Sequence, residues 1–367
     1  MKEEKLLAIL RLQKTKSIGD ILAKKLIAAV GDEEAIFKES ISKLSKINGV
    51  GQVALKALLD TSLLKKAEQE LKYIQKENLN YSYFLDSNYP ENLRHCIDGP
   101  ILFFYDGELD FSNQRMISIV GTRKVTSYGK DITRKFIEEL KPFNPIIVSG
   151  FAYGVDIEAH KAAIENNLQT IGVLAHGFEQ IYPKVHKKYI HQVLENGGFI
   201  SEFWHDENPL RENFLKRNRI VAGLSKAIII VESGSKGGSL VTADIANSYD
   251  RDVFAFPGKT SDIFSKGCND LIQQNKAHLL QSAEDIVKHL NWDVTRKIKK
   301  KQPKKLFVEL DESEQKIYNY LKEKEQQLLD VISLETKIPV YQLSSILLQL
   351  ELKGVIKPLP GKMFQLT

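Results

Sequence analysis

Met116-Ile-Ser-Ile-Val-Gly-Thr-Arg123 is an apolar run that stops in a tight turn, and it opens the stretch to Gly258 around which the chain is organised. That stretch continues through Ile147-Val-Ser-Gly-Phe-Ala-Tyr-Gly-Val-Asp156 and Phe214-Leu-Lys-Arg-Asn-Arg-Ile-Val221, and closes with Gly237-Gly-Ser-Leu-Val-Thr-Ala243 and Val253-Phe-Ala-Phe-Pro-Gly258. Short apolar segments that end in Gly, Ser or Thr and then turn helical describe parallel strands whose carboxyl ends share a crevice. Between them, Ser127 to Leu140 sets Ile132, Phe136, Ile137 and Leu140 on one helical face. The strands read in order are Met116–Val120, Pro145–Val148, Thr170–Leu174, Phe199–Ser201, Ala227–Val231 and Val253–Phe256, with helices between them. That rhythm implies a parallel sheet covered on both faces, in an α/β class.

Outward from this core, residues 3 to 71 read as helices without a strand. Ile47-Asn-Gly-Val-Gly-Gln-Val-Ala54 resembles a helix-hairpin-helix element, and Ser17-Ile-Gly-Asp-Ile-Leu-Ala23 repeats part of it. Its glycines leave amides open at a helix start, which suits a phosphate; a tight turn inside a small helical scaffold uses the same residues. Glu68 to Asn80 reads as a charged helix leading out of this part; the stretch after it, punctuated by Asp86, Asn88, Tyr89-Pro90 and Asp98-Gly99-Pro100, reads as irregular, with a short strand at Ile101–Tyr105. Leu271–Gln274 and Ala283–Leu290 read as closing helices. Arg296 to Lys305 carries seven Lys or Arg in ten residues and is expected to be a flexible basic tether. Beyond it, helices at Ser313–Lys324, Asp330–Thr336 and Val340–Lys353, then a ribbon turning at Pro360-Gly361, follow the winged-helix pattern. The third helix there offers Tyr341, Gln342, Ser344, Ser345 and Gln349 rather than positive charge, which favours a protein-contact or autoregulatory role over DNA reading. The expected boundaries are residues 1–79 (helical, helix-hairpin-helix or SAM-like), 80–293 (sheet), 294–308 (tether) and 309–367 (winged helix).

The chain has 367 residues, a formal net charge of +5 and a 43% apolar share, ordinary for a soluble protein of two or three domains. Cys96 and Cys268 are far apart and in no metal-ligand spacing, so no metal is expected and a reducing cytoplasm is. No signal-peptide core and no apolar run of membrane length are present, so no membrane contact is expected. Gly258-Lys-Thr260 ends like a P-loop but has Val253 where that loop needs Gly, and Gly121-Thr-Arg123 lacks the dinucleotide spacing. ATP and NAD are thus unsupported, and no cofactor is expected.

What remains is a phosphate cradle. Gly121, Thr122 and Arg123 follow the first strand, Ser149 and Gly150 the second, and Gly238 and Ser239 open a helix whose amides face the same crevice. Arg211, Phe214, Arg217 and Asn218 share one helical face. A ring among guanidiniums suits a strand with unstacked bases, and points to single-stranded DNA; Phe214 as plain core is the other reading. Arg219 is read as structural, pairing with a carboxylate inside the fold. Asp156 and His160, one turn apart, are read as a cap or brace of the loop and a satisfied structural residue rather than an acid/base pair. Tyr182-Pro183 is placed at the rim.

Taken as a set, Val120–Arg123, Ser149–Asp156 with Ala159-His160, Tyr182-Pro183, Phe214–Ile220, Gly238–Ala243 and Phe256–Gly258 resemble the DNA-processing protein A (DprA, also Smf) family. Ala175-His-Gly177 departs from the Gly-Cys-Gly usual there. The resemblance implies an extended Rossmann-type sheet with a helical amino-terminal domain and a winged-helix tail. It implies a non-enzymatic, cytoplasmic protein that binds single-stranded DNA without sequence preference, protects incoming DNA, and as a homodimer loads a RecA-type recombinase in natural transformation. It also implies that Arg123 is the phosphate-binding arginine and that Arg211 and Phe214 are the basic and aromatic positions beside it. The alternative is a small-nucleotide enzyme of the phosphoribohydrolase type, which needs a Glu after the Gly-Gly turn where this chain has Leu240, Val241 and Thr242.

Overall fold

A computed structural model of the chain describes residues 1–113, 115–292, 310–324, 326–359 and 361–366. Among these, nine strands form one sheet: β1 Asn80–Tyr83, β2 Leu102–Gly107, β3 Met116–Val120, β4 Ile146–Ser149, β5 Thr170–Val173, β6 Gly197–Ser201, β7 Ala227–Ile230, β8 Asp252–Ala255 and β9 His278–Leu279. Their order is β1-β2-β6-β5-β4-β3-β7-β8-β9. Neighbours from β6 through β9 are parallel, while β2 runs antiparallel to β6 and β1 antiparallel to β2. The chain steps one way from β3 to β6 and the other way from β7 to β9. The direction therefore reverses between β3 and β7, and the loops leaving these two strands must part there.

The central strands are buried on both faces, and alternate residues explain how. In β3, Met116 and Val120 join one core while Ile117 and Ile119 join the other; in β7, Ile228 and Ile230 oppose Ala227 and Ile229. A period of two on a strand covered by helices on both sides gives this partition. Ser118, fully buried among these apolar residues, donates its hydroxyl to the Val221 carbonyl at 2.7 Å, which offsets its burial.

Met1–Arg296 form one compact unit. The helices Glu3–Lys14, Asp20–Val30, Gln52–Leu58 and Ser62–Lys76 share a core with Tyr83, Ile101, Leu102, Phe104 and Trp204. Gln13 donates to the Leu102 carbonyl at 3.0 Å and accepts from the Trp204 indole at 3.0 Å. The helical part and the β1–β2 end of the sheet are thus one packed body. The second unit holds the helices Glu312–Lys324, Leu329–Thr336 and Val340–Leu352 and a small antiparallel sheet of β10 Gln326–Leu328, β11 Ile356–Leu359 and β12 Met363–Leu366. Its own core contains Ile317, Leu321, Ile332, Leu343, Leu347, Leu350 and Ile356, in the winged-helix arrangement.

Three strands depart from the expected elements. Asn80–Tyr83 pairs with β2 where irregular chain was expected: Ser82 and Tyr83 are buried, but Tyr and Ser disguise the alternation. His278–Leu279 is too short to carry a period, and Gln326–Leu328 adds a third strand to the ribbon. The closing helix expected at 271–274 begins earlier, at Lys266. The basic tether expected at 294–308 lies outside the described residues. No described helix is long and apolar enough to cross a membrane.

Candidate functional site

A pocket of about 680 Å³ lies where the loops after β3 and β7 part. Its walls include Gly121, Thr122 and Arg123 from the first loop, Gly237, Gly238 and Ser239 from the second, and Arg211, Phe214, Arg217 and Asn218 from the helix Arg211–Leu224. Nine of the eleven residues singled out from sequence therefore meet on one wall. Ser149 and Gly150 do not. Ser149 is fully buried and donates to the Ile119 carbonyl at 2.6 Å, tying β4 to β3. Above Gly150 lies the Arg217 guanidinium: a Cβ added there would fall 1.7 Å from Nη1. The missing side chain makes room for an arginine inside the protein.

The first loop is held from both sides. The Thr122 amide donates to the Glu232 carbonyl at 2.7 Å, and the Thr122 carbonyl accepts the Val155 amide at 3.2 Å. Gly154, at φ 80°, permits this approach, since a Cβ would sit 2.1 Å from the Thr122 carbonyl oxygen. The Glu232 carboxylate, itself buried, accepts from the Thr126 amide at 2.9 Å and from its hydroxyl. In the second loop, Ser239 donates to Ser233 Oγ at 2.9 Å, and Gly237 caps the helix Gly238–Ser248 without a side-chain hydrogen bond. The opening amides of that eleven-residue helix border the pocket, where the helix dipole favours an anion.

Charge on the wall is strongly one-sided. Among the described lining residues there are four cations, Arg123, Arg211, Arg217 and Lys236, and one carboxylate, Asp156. Arg123 and Arg211 are exposed, and the Arg123 guanidinium stands 5.0 Å from the Phe214 ring centre. Phe214 is half-buried and meets the Tyr182 ring edge-on at 5.3 Å; Tyr153 follows at 6.4 Å from Tyr182. Arg217 is only 4% exposed, and its Nε has no hydrogen-bond partner. Burial brings its pKa down to about 10; Asp156 pulls the other way, and Arg123 adds to the fall. Asp156, also buried, is pushed above the usual carboxylate range by desolvation, while Arg217, the Ala152 amide and Arg123 draw it back. A buried cation short of partners at a pocket wall gains most from an anion entering.

The remaining expectations fall away from the wall. Arg219 pairs with Glu202 and with Asp20 at 3.1 Å, so it is a structural clasp. His160 is fully buried but only half satisfied, with Nδ1 2.7 Å from Thr170 Oγ1 and Nε2 without a hydrogen-bond partner, and burial, aided by His186 and Arg217, drops its pKa to about 3. Leu215, Tyr153 and Lys236 are among the further wall residues that had not been singled out. Tyr153 stood inside the second quoted motif; a single lysine in a loop carries no periodic signal.

The family model for DNA recombination-mediator protein A matches residues 80–291, and that for the DprA winged helix domain matches residues 302–362. Protein Smf of Synechocystis is 30% identical over 95% of this chain and 96% of its own. DNA processing protein DprA of Streptococcus pneumoniae is 37% identical over 59% of this chain and 76% of its own. The X-ray structure of DNA processing protein A from that organism superimposes with a TM-score of 0.65 at 30% identity, covering 78% of this chain and 98% of the other. DNA processing protein A from Helicobacter pylori, whose structure was solved for its single-stranded DNA binding mode, gives a TM-score of 0.52 at 30% identity, over 58% of this chain and 96% of the other.

Proposed function

The chain belongs to the DprA/Smf family of DNA-processing proteins, and from that premise we propose that its pocket grips the backbone of single-stranded DNA without catalysing a reaction on it. The observation that carries this reading is the wall itself: four cations against one carboxylate, with a half-buried Phe214 ring between Arg123 and Tyr182. Guanidiniums and helix-opening amides meet phosphates; a ring offers its face to an unpaired base, which a duplex does not expose. The relative from Helicobacter pylori, solved for its single-stranded DNA binding mode, supports the same assignment. Within the pocket, Gly121, Thr122, Arg123, Arg211, Arg217, Asn218, Gly238 and Ser239 hold phosphate and Phe214 stacks. Ser149 and Gly150 act from behind, by holding β4 and Arg217. The finer role is a homodimer that protects incoming DNA and passes it to a RecA-type recombinase in natural transformation; it rests on the family resemblance.

The phosphoribohydrolase alternative has less support. It needs a carboxylate after the Gly-Gly turn, and the wall carboxylate here, Asp156, is buried in the field of Arg217. Fluorescence anisotropy with oligo-dT and with a duplex of equal length tests the proposal. Single strands should bind tighter than duplex, and Arg123→Ala should cost on the order of 1–3 kcal/mol of binding. Equal affinity for both, or no change on Arg123→Ala, overturns it; so does release of free base from a nucleoside monophosphate.

A further inference from the structure

At the other end of the sheet, three potential ligands come together from three elements. Asp252 opens β8, His278 opens β9, and His289 closes the helix Ala283–His289. Strand register brings the first two side by side: His278 pairs with Phe254, so its side chain shares a face with Phe254 and, two residues earlier, with Asp252. The helix after β9 then returns over this face. It ends with His289 Nε2 2.9 Å from Asp252 Oδ1 and the His289 ring 4.5 Å from that of His278. Phe254, almost fully buried, supports both rings from beneath, at 5.4 Å and 5.1 Å. One ligand atom from each of the three residues lies within 4.8 Å of the others.

We propose that Asp252, His278 and His289 bind a divalent transition ion of the zinc type. Two imidazole nitrogens and one carboxylate oxygen are a donor set that such an ion takes, in contrast to the all-oxygen sets of magnesium or calcium. Two neighbouring cations are engaged elsewhere. Arg251 is turned away to the Asn92 carbonyl at 2.7 Å, and Lys288 pairs with Glu284 at 3.0 Å. The three side chains are half-buried or exposed, so an ion can enter without unfolding. Three protein ligands leave one tetrahedral position for water or for a donor from outside. The bound ion would fasten β9 and the last helix to β8, closing an edge that β9 covers with only two residues. The site lies at the amino ends of its strands, away from the crevice at the carboxyl ends of β3 and β7, and is independent of what that crevice holds.

The test is calorimetric titration of zinc chloride into tag-free, full-length chain. One ion per chain should bind, and His278→Gln and His289→Gln should each weaken it by at least ~10-fold. A readout on the unaltered chain guards against misfolded variants: cobalt(II) should broaden the ring protons of His278 and His289 and leave the other histidines sharp. The proposal is overturned if no zinc is taken up, if correctly folded variants bind zinc like the parent, or if cobalt broadens other histidines or none.

Discussion

Arg217 and Arg219 stand two residues apart on one helix and serve opposite ends. Arg219 is buried among Glu202, Asp20 and the Asp98 carbonyl; burial alone would lower its pKa, but the carboxylates of Glu202, Asp20 and Asp98 raise it. Arg219→Met leaves Glu202, almost fully buried, without its main partner. Urea melts should show a loss of about 3 kcal/mol, because removing one half of a buried ion pair strands the other. A loss below half of that would mean that Lys216, 3.2 Å from Glu202, carries the charge alone. Arg217→Met should cost less stability than this and more single-strand affinity, which separates clasp from cradle. His160 supplies a pH signature. Its folded pKa of about 3 lies below the unfolded value, so the unfolded chain binds the extra proton and stability falls as pH drops through about 6.5 toward 3. Between pH 7 and pH 5 the parent should lose about 2 kcal/mol more than His160→Gln, measured by urea melts at both pH values. Parallel losses would mean that the ring titrates normally.

At the scale of elements, legibility follows the range of the interaction that makes each one. β3, β4 and β7 were readable because both faces are covered and each run is apolar throughout. β1 was not, since Tyr83 is buried against residues far earlier in the chain, with its hydroxyl donating to Glu33 and Lys5 over its ring, and a polar Ser82 alternates with it. β9 was not, since two residues have no period and pairing with β8 alone defines them. The crevice itself was legible through its turns, and helical spacing correctly put Arg211, Phe214, Arg217 and Asn218 together. Depth was hidden: spacing gives a face, not how far each side chain is sunk into it. Gly150 reads as open backbone because the guanidinium that fills its space belongs to a distant helix. The Asp252, His278 and His289 group was unreadable for the same reason, being assembled only by strand register and a returning helix.

For the whole molecule, the question is which part holds the strand. Met1–Arg296 have their own cores and contain the pocket, and the second unit has a separate core. A chain ended at residue 296 should therefore melt as cooperatively as the parent and retain single-strand binding. It lacks six of the seven Lys and Arg between 296 and 305, whose charge would attract a polyanion at long range. Salt separates the two contributions. With a Debye length of about 10 Å at 0.1 M and about 3 Å at 1 M, long-range attraction is screened out, while phosphate contacts in the pocket weaken only as counterion release dictates. Oligo-dT should bind the full chain tighter than the shortened one in dilute buffer, and the two affinities should converge as salt rises toward about 0.5 M, both following a steep log–log decline. Loss of binding by a well-folded 1–296 chain at every salt concentration would move the strand out of the crevice and onto the tether or the winged helix. A gap that persists at high salt would assign the second unit fitted contacts of its own.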